Sequence, residues 1–402
     1  MTEVLQTFTP DWISPPGDTI ADLIEEREWS QADLAKRLGY TTKHVSLLIN
    51  GKAPITEETA LKLENVLGST AGFWLHREAQ YRAKLAQQEA EMDCQKWVSW
   101  LDELPVKELM DQGVIQKQRR NAKTKPAIVR ELLRFFGVAS PEEWRNYYAS
   151  MEAAFRRTRT EQSDVGAISA WLRRGEIEAE GLNCPKYNKA KFKSAVQAIR
   201  QLTLLSPEEF MPQMRQLCWD AGVVFFLVPA IPRAHTSGVA RWLNPHKALI
   251  QLSLYGKTND RFWFTFFHEA AHILLHGKKE IFLDELDGGD KLESQQETEA
   301  DQWAKEFLIP PEYDAQLASL KSKQAVVEFA EQLGIHPGII VGRLQYEGVI
   351  PMDWMNKLKE SFRPIPKTVT ADRVRDKLEA LEITEEDITD AVAWVRQDSE
   401  LW

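Results

Sequence analysis

The chain has 402 residues, eight of them histidine, and a formal net charge of −10. Such a length implies two or three domains, and the acidic balance excludes generic adhesion to nucleic acid or to an anionic membrane surface. The three scattered cysteines, Cys94, Cys184 and Cys218, form neither a disulfide framework nor a C-x-x-C knuckle, and they suit a reducing cytosol.

The opening Met1-Thr-Glu-Val-Leu-Gln6 has no basic stretch followed by an apolar one, so no signal peptide is expected. The longest apolar run, Val223–Val228, has the length of a strand and is far too short to span a membrane. A cytoplasmic protein without a membrane partner is therefore expected.

From Gly17 to Leu85 the apolar spacing predicts short amphipathic helices. Ser30 stands as an N-cap before Gln31–Leu38, and Gly39 closes that helix. Thr41 caps Thr42–Ile49, which stops at Asn50-Gly51. Two short helices joined by a tight glycine turn make a helix-turn-helix. Gln31-x-x-Leu-Ala-x-x-x-Gly39, with Val45-Ser46 and Asn50-Gly51, resembles the lambda-repressor/Cro-like (XRE) class. Pro16-Gly17-Asp18 and Leu67–Leu75 are similar to HigA-type antitoxins. The resemblance implies that the second helix enters the major groove of an operator, with Thr42, Lys43 and His44 on base edges and Gln31, Asn50 and Lys52 on phosphates. It also implies a homodimer and a toxin as partner. Charge adds little here, since nine Lys/Arg face ten Asp/Glu between Gly17 and Leu85. Leu47 stands at an outward position, where it suits a thymine methyl or a protein contact.

Residues 89 to 205 read as a helical spacer without a motif. Its basic run Lys117–Lys125 reads as a solvated face, and Trp171–Glu176 as helix-end packing. Val223–Val228, Ala240–Leu243 and Ala248–Leu252 are rich in β-branched and aromatic residues and predict a small sheet. His235–Gly238 is expected as a turn between strands.

The next stretch reads His268-Glu269-Ala-Ala-His272-Ile-Leu-Leu-His276. Four residues apart on a helix, His268 and His272 project from one face and can share a metal ion, while Glu269 can reach a water beside it. The flanking side chains are apolar almost all round, so these polar groups lie on a core helix and need partners. A second helix carries Glu297-Thr-Glu299-Ala-Asp301 and ends at Phe307-Leu-Ile-Pro310. At about 100° per residue, Glu297 and Asp301 share the buried arc and Glu299 points away from it. Glu297 is thus the expected third ligand and Asp301 the acceptor that orients a ligand histidine. Three protein ligands leave a zinc ion one open position, as catalysis requires. His276 is read as an imidazolium at the helix C-terminus.

Phe264–His276, the Glu-x-Glu-Ala-Asp helix and Phe-Leu-Ile-Pro resemble the ImmA/IrrE family of metallopeptidases, with a wider gluzincin-like pattern. The resemblance implies a Zn2+-dependent endopeptidase in which Glu269 is catalytic and the substrate is a helix-turn-helix repressor or antitoxin. The competing expectation is a repressor that uses a peptidase fold as a sensor or toxin-binding module. The expected architecture is mainly α and multidomain. A helix-turn-helix domain at 1–88 and a spacer at 89–205 precede an α+β domain with a small sheet at 206–364 and a helical tail at 365–402.

Overall fold

The computed structural model describes residues 14–155, 164–253, 258–277, 282–285 and 295–362. The chain forms two compact units, Met1–Asp102 with Leu109–Gly137, and Glu103–Glu108 with Val138–Trp402. The first helices are α1 (Pro16–Glu26), α2 (Gln31–Leu38), α3 (Thr42–Ile49), α4 (Glu57–Leu67), α5 (Ala71–Lys96), α6 (Val106–Asp111) and α7 (Lys125–Phe136).

In the first unit, local hydrogen bonds set the helix ends. Ser30 and Asp33 form a reciprocal capping box at the start of α2, and Gly39 ends it at φ 69°. The Thr41 hydroxyl accepts the His44 N–H to start α3. Leu34, Val45, Ala60, Leu63 and Trp74 are completely buried where α1 to α5 meet. The Trp74 indole N–H, which would otherwise be a buried donor without an acceptor, reaches the Gly68 carbonyl at 3.1 Å. Helix α5 runs unbroken through residue 88, the expected domain boundary, and α7 packs on it. The compact unit that contains α5 and α7 reaches Gly137.

The second unit contains α8 (Pro141–Phe155), α9 (Val165–Glu180), α10 (Lys189–Gln201), α11 (Pro207–Asp220), β1 (Val223–Leu227), β2 (Thr236–Asn244), β3 (Lys247–Leu252), α12 (Asn259–Leu275), β4 (Phe282–Glu285), α13 (Gln295–Leu308), α14 (Asp314–Leu317), α15 (Lys323–Leu333) and α16 (Pro337–Tyr346). The sheet order is β1-β3-β2-β4. β1 runs parallel to β3, and β2 pairs antiparallel with β3 and β4. β1 and β3 are buried along most of their length, as strands with helices on both faces must be. β2 starts at Thr236, so Thr236, Ser237 and Gly238 belong to a strand, not to the expected turn. Pairing with Glu285 and Asp284 of β4, a partner distant in sequence, extends it.

Alternate residues of β2 serve opposite faces. Ala240 lies in the core that α12 shares with α10, α11, α13 and α16. Arg241 is 3% exposed and meets α9, where its guanidinium donates to Glu176 at 2.7 Å and to the Leu172 carbonyl at 3.0 Å. Gln251 on β3 donates to the Trp171 carbonyl at 2.7 Å. Trp171–Glu176 is therefore mid-helix packing against the sheet, not the end of a helix. Arg241 and Glu176 are buried as a pair, which avoids leaving either charge alone. The helices expected at Val374–Ala380 and Ile388–Val395 lie outside the described residues. Among the described residues no helix is long and apolar enough to cross a membrane.

Candidate metal centre and groove-reading helix

Helix α12 is buried from Asn259 to Leu274 except for Arg261 and Phe264, and that burial explains why its polar residues converge on one another. Its packing places the start of α13 across its C-terminal half. His268 and His272 present their Nε2 atoms to each other at 2.9 Å. Glu297 Oε2 lies 3.1 Å from the first and 3.6 Å from the second. All three residues are buried.

Outside this triangle, His268 Nδ1 is 2.9 Å from Asp301 Oδ1. A carboxylate only accepts, so His268 Nδ1 carries the proton and its Nε2 is left with a lone pair. Burial drives the His272 pKa down to about 4, with the neighbouring Glu297 carboxylate opposing it, so this ring is neutral at pH 7. Burial alone would raise the Glu297 carboxyl. The two imidazoles beside it overcome this and hold it below the usual carboxylate range, so it is an anion. Lone pairs and an anionic oxygen within 3.6 Å of one another repel unless a cation lies between them. Two imidazole nitrogens and one carboxylate oxygen are a donor set that fits a divalent metal.

Glu269 is completely buried on the same helix. Gly238 of β2 faces it so closely that a Cβ there would lie 2.4 Å from Glu269 Oε1. Phe264 packs one turn ahead of His268, with ring centroids 6.3 Å apart.

One part of this arrangement is not apparent from the sequence. His276 Nδ1 lies 2.9 Å from His272 Nδ1, and His276 Nε2 lies 3.3 Å from Glu299 Oε2. Glu299 is exposed, off the buried arc of α13 that holds Glu297, yet its carboxylate reaches back to the end of α12. His276 closes the last turn of α12 through its own N–H to the His272 carbonyl at 3.1 Å. The i, i+4 spacing of His272 and His276 was the available signal.

In the first unit, Gln31, Thr42, Lys43, Asn50 and Lys52 are exposed, whereas His44 is half-buried with its ring edge-on to Tyr40 at 4.6 Å. Asn50 turns back on its own helix and donates to the Ser46 carbonyl at 2.7 Å. Leu47 is half-buried. His336 caps α16 by accepting the Gly338 N–H at 3.0 Å.

Fold and site together define a helix-turn-helix domain followed, in the second unit, by a metallopeptidase-like domain. The family model described as "Helix-turn-helix" matches residues 20–74, and the one described as "IrrE N-terminal-like domain" matches residues 231–345. The chain is 33% identical over 78 residues to the uncharacterized HTH-type transcriptional regulator YddM of Escherichia coli (strain K12), covering 19% of this chain and 81% of that protein. The chain belongs to the HTH-type transcriptional regulators, and in it such a domain is fused to an IrrE/ImmA-like peptidase domain.

Proposed function

We propose that the protein is a cytoplasmic regulator whose second unit is a zinc endopeptidase acting on a protein partner of the helix-turn-helix class. The observation that carries this reading is the convergence of His268 Nε2, His272 Nε2 and Glu297 Oε2 beside the buried Glu269. His268, His272 and Glu297 would hold the ion, and Asp301 would orient His268. Zinc so held supplies Lewis acidity, which lowers the pKa of a water and polarises the peptide carbonyl. Glu269 accepts the proton of the attacking water on its carboxylate and delivers it to the departing amide nitrogen. The pattern belongs with the gluzincin-like enzymes.

The helix-turn-helix domain brings this activity to DNA. Exposed Thr42 and Lys43, with His44 beside them, meet base edges, and Gln31, Asn50 and Lys52 meet phosphates. A homodimer would match the symmetry of an operator. A separate repressor, a HigA-like antitoxin or its toxin is then the substrate held nearby. Cleavage in trans, or in cis held off until a signal arrives, is favoured over unregulated self-cleavage, because a site competent at all times would destroy the protein as it was made.

Wild type and Glu269→Gln should be incubated with the repressor encoded by a neighbouring gene and analysed by mass spectrometry. Fragments should arise with wild type alone, since the Glu269→Gln variant keeps the ligands and lacks the base. Identical fragments from both proteins would refute the reading. Purified wild type should carry about one zinc per chain. Glu297→Ala should lose more of it than Glu299→Ala, and equal retention would remove Glu297 from the ligand set.

A further inference from the structure

Two histidines at the candidate metal centre are held from behind in different ways. His268 rests directly on a carboxylate, Asp301, whereas His272 rests on a second imidazole, His276, which in turn meets Glu299. An imidazole behind an imidazole is ambiguous, because either Nδ1 can carry the proton they share. The far end of the chain resolves the ambiguity. Glu299 is an anion that only accepts, and Gln295 Nε2 steadies its other oxygen at 2.8 Å. The His276 nitrogen facing Glu299 must therefore be N–H. In a neutral ring this leaves His276 Nδ1 as an acceptor, and His272 must then donate from its own Nδ1. The last consequence falls on the site itself: His272 Nε2 keeps its lone pair and turns it toward His268 Nε2 and Glu297.

The opposite polarity fails at both ends. It would set a bare His276 nitrogen against the Glu299 carboxylate, and it would put a proton on His272 Nε2, where the metal has to bind. His276 is well placed for the task, since its side chain is only 4% exposed. Glu299 is 47% exposed, so the selecting charge sits at the protein surface.

From this we infer that His276 and Glu299 are positioning residues that fix the tautomer of His272, with the Glu299 carboxylate selecting, through His276, which nitrogen of His272 is offered to the metal. The inference rests on the metal-site reading above and assigns a task to two residues outside the ligand set.

The test compares Co2+ binding to full-length wild type, His276→Phe and His276→Asn, read by the visible absorption of the bound ion. Phenylalanine keeps the bulk of the ring and cannot accept a hydrogen bond. Asparagine Oδ1 can stand where Nδ1 stood. His276→Phe should raise the Co2+ dissociation constant about 10- to 100-fold, the range typical for loss of a partner behind a ligand. His276→Asn should return it to within a few-fold of wild type, and the melting temperature without metal should stay the same in all three. Should His276→Phe fail to fold, Glu299→Ala against Glu299→Gln makes the same comparison at an exposed position. Glutamine still accepts and alanine does not, so only alanine should weaken Co2+ binding. Wild-type affinity in the non-accepting variant, or equal weakening in both members of a pair, overturns the positioning role and leaves the metal site standing. A wild-type protein that takes up no Co2+ overturns both.

Discussion

Gly238 lies on a strand of ordinary backbone conformation, so its lack of a side chain is a matter of space. A Cβ there would come 2.4 Å from Glu269 Oε1, 2.8 Å from Thr265 Cγ2 and 2.9 Å from Leu252 Cδ2. The first of these contacts bears on the proposed base. Displacement of a catalytic group by about 1 Å can cost about 100-fold in rate. Gly238→Ala is therefore expected to lower kcat about 10- to 100-fold while zinc content stays at the wild-type level, measured by turnover and metal analysis on the same sample. Wild-type turnover would show that Glu269 has room to yield. Nothing in the sequence announced this contact, because glycine between Ser237 and Val239 reads equally as a turn. The pairing of His268 with His272 was legible, since four residues on one helix is a local property. The meeting of His276 with Glu299 was not. A helical wheel places residues around one axis, whereas this contact depends on how α13 crosses the end of α12.

At the scale of elements, legibility followed the range of the interactions that set each boundary. The limits of α2 and α3 were readable because Ser30, Gly39 and Thr41 act within four residues of themselves. The first residues of β2 and the whole of β4 were not, because they exist by pairing with each other across an intervening helix. α3 also carries the prediction for DNA. Lys43 is exposed near its N-terminus and Lys52 is exposed just beyond its end. Lys43→Ala should weaken the specific complex by roughly 1–3 kcal/mol, and Lys52→Ala should weaken all sequences alike and flatten the salt dependence. Gel shifts across the upstream region at two salt concentrations distinguish these effects. If no salt-sensitive complex forms, α3 is better assigned to protein docking, a role that half-buried Leu47 and the self-bonded Asn50 already suit.

At the scale of the molecule, the stretch matched as an IrrE N-terminal-like domain, residues 231–345, is smaller than the body that folds around it. Phe192, Val196, Ile199, Phe210, Met214 and Cys218, all completely buried in the same core as α12, lie before it in the chain. Phe362 lies after it and packs its ring on Phe210 and Phe262, at 5.6 and 5.3 Å between centroids. Lys359 donates to Asp260 at 2.6 Å and to Gln345 at 2.7 Å, tying the chain beyond the match to the first turn of α12. A fragment of residues 231–345 would leave Asp260 buried without its cation and one side of α12 bare. It should lack a cooperative melting transition by circular dichroism, whereas residues 138–402 should show one and retain zinc. A sharp transition from the short fragment would contradict this.

The ties from Lys359 and Phe362 to α12 also bear on descent. A stretch of sequence kept similar by its chemistry can be much shorter than the stretch that must travel with it when genes recombine. Joining a helix-turn-helix module to this peptidase-like body would have required a breakpoint upstream of Phe192, well outside residues 231–345. The seam between the two inheritances should therefore be sought before Phe192, between the two matched regions.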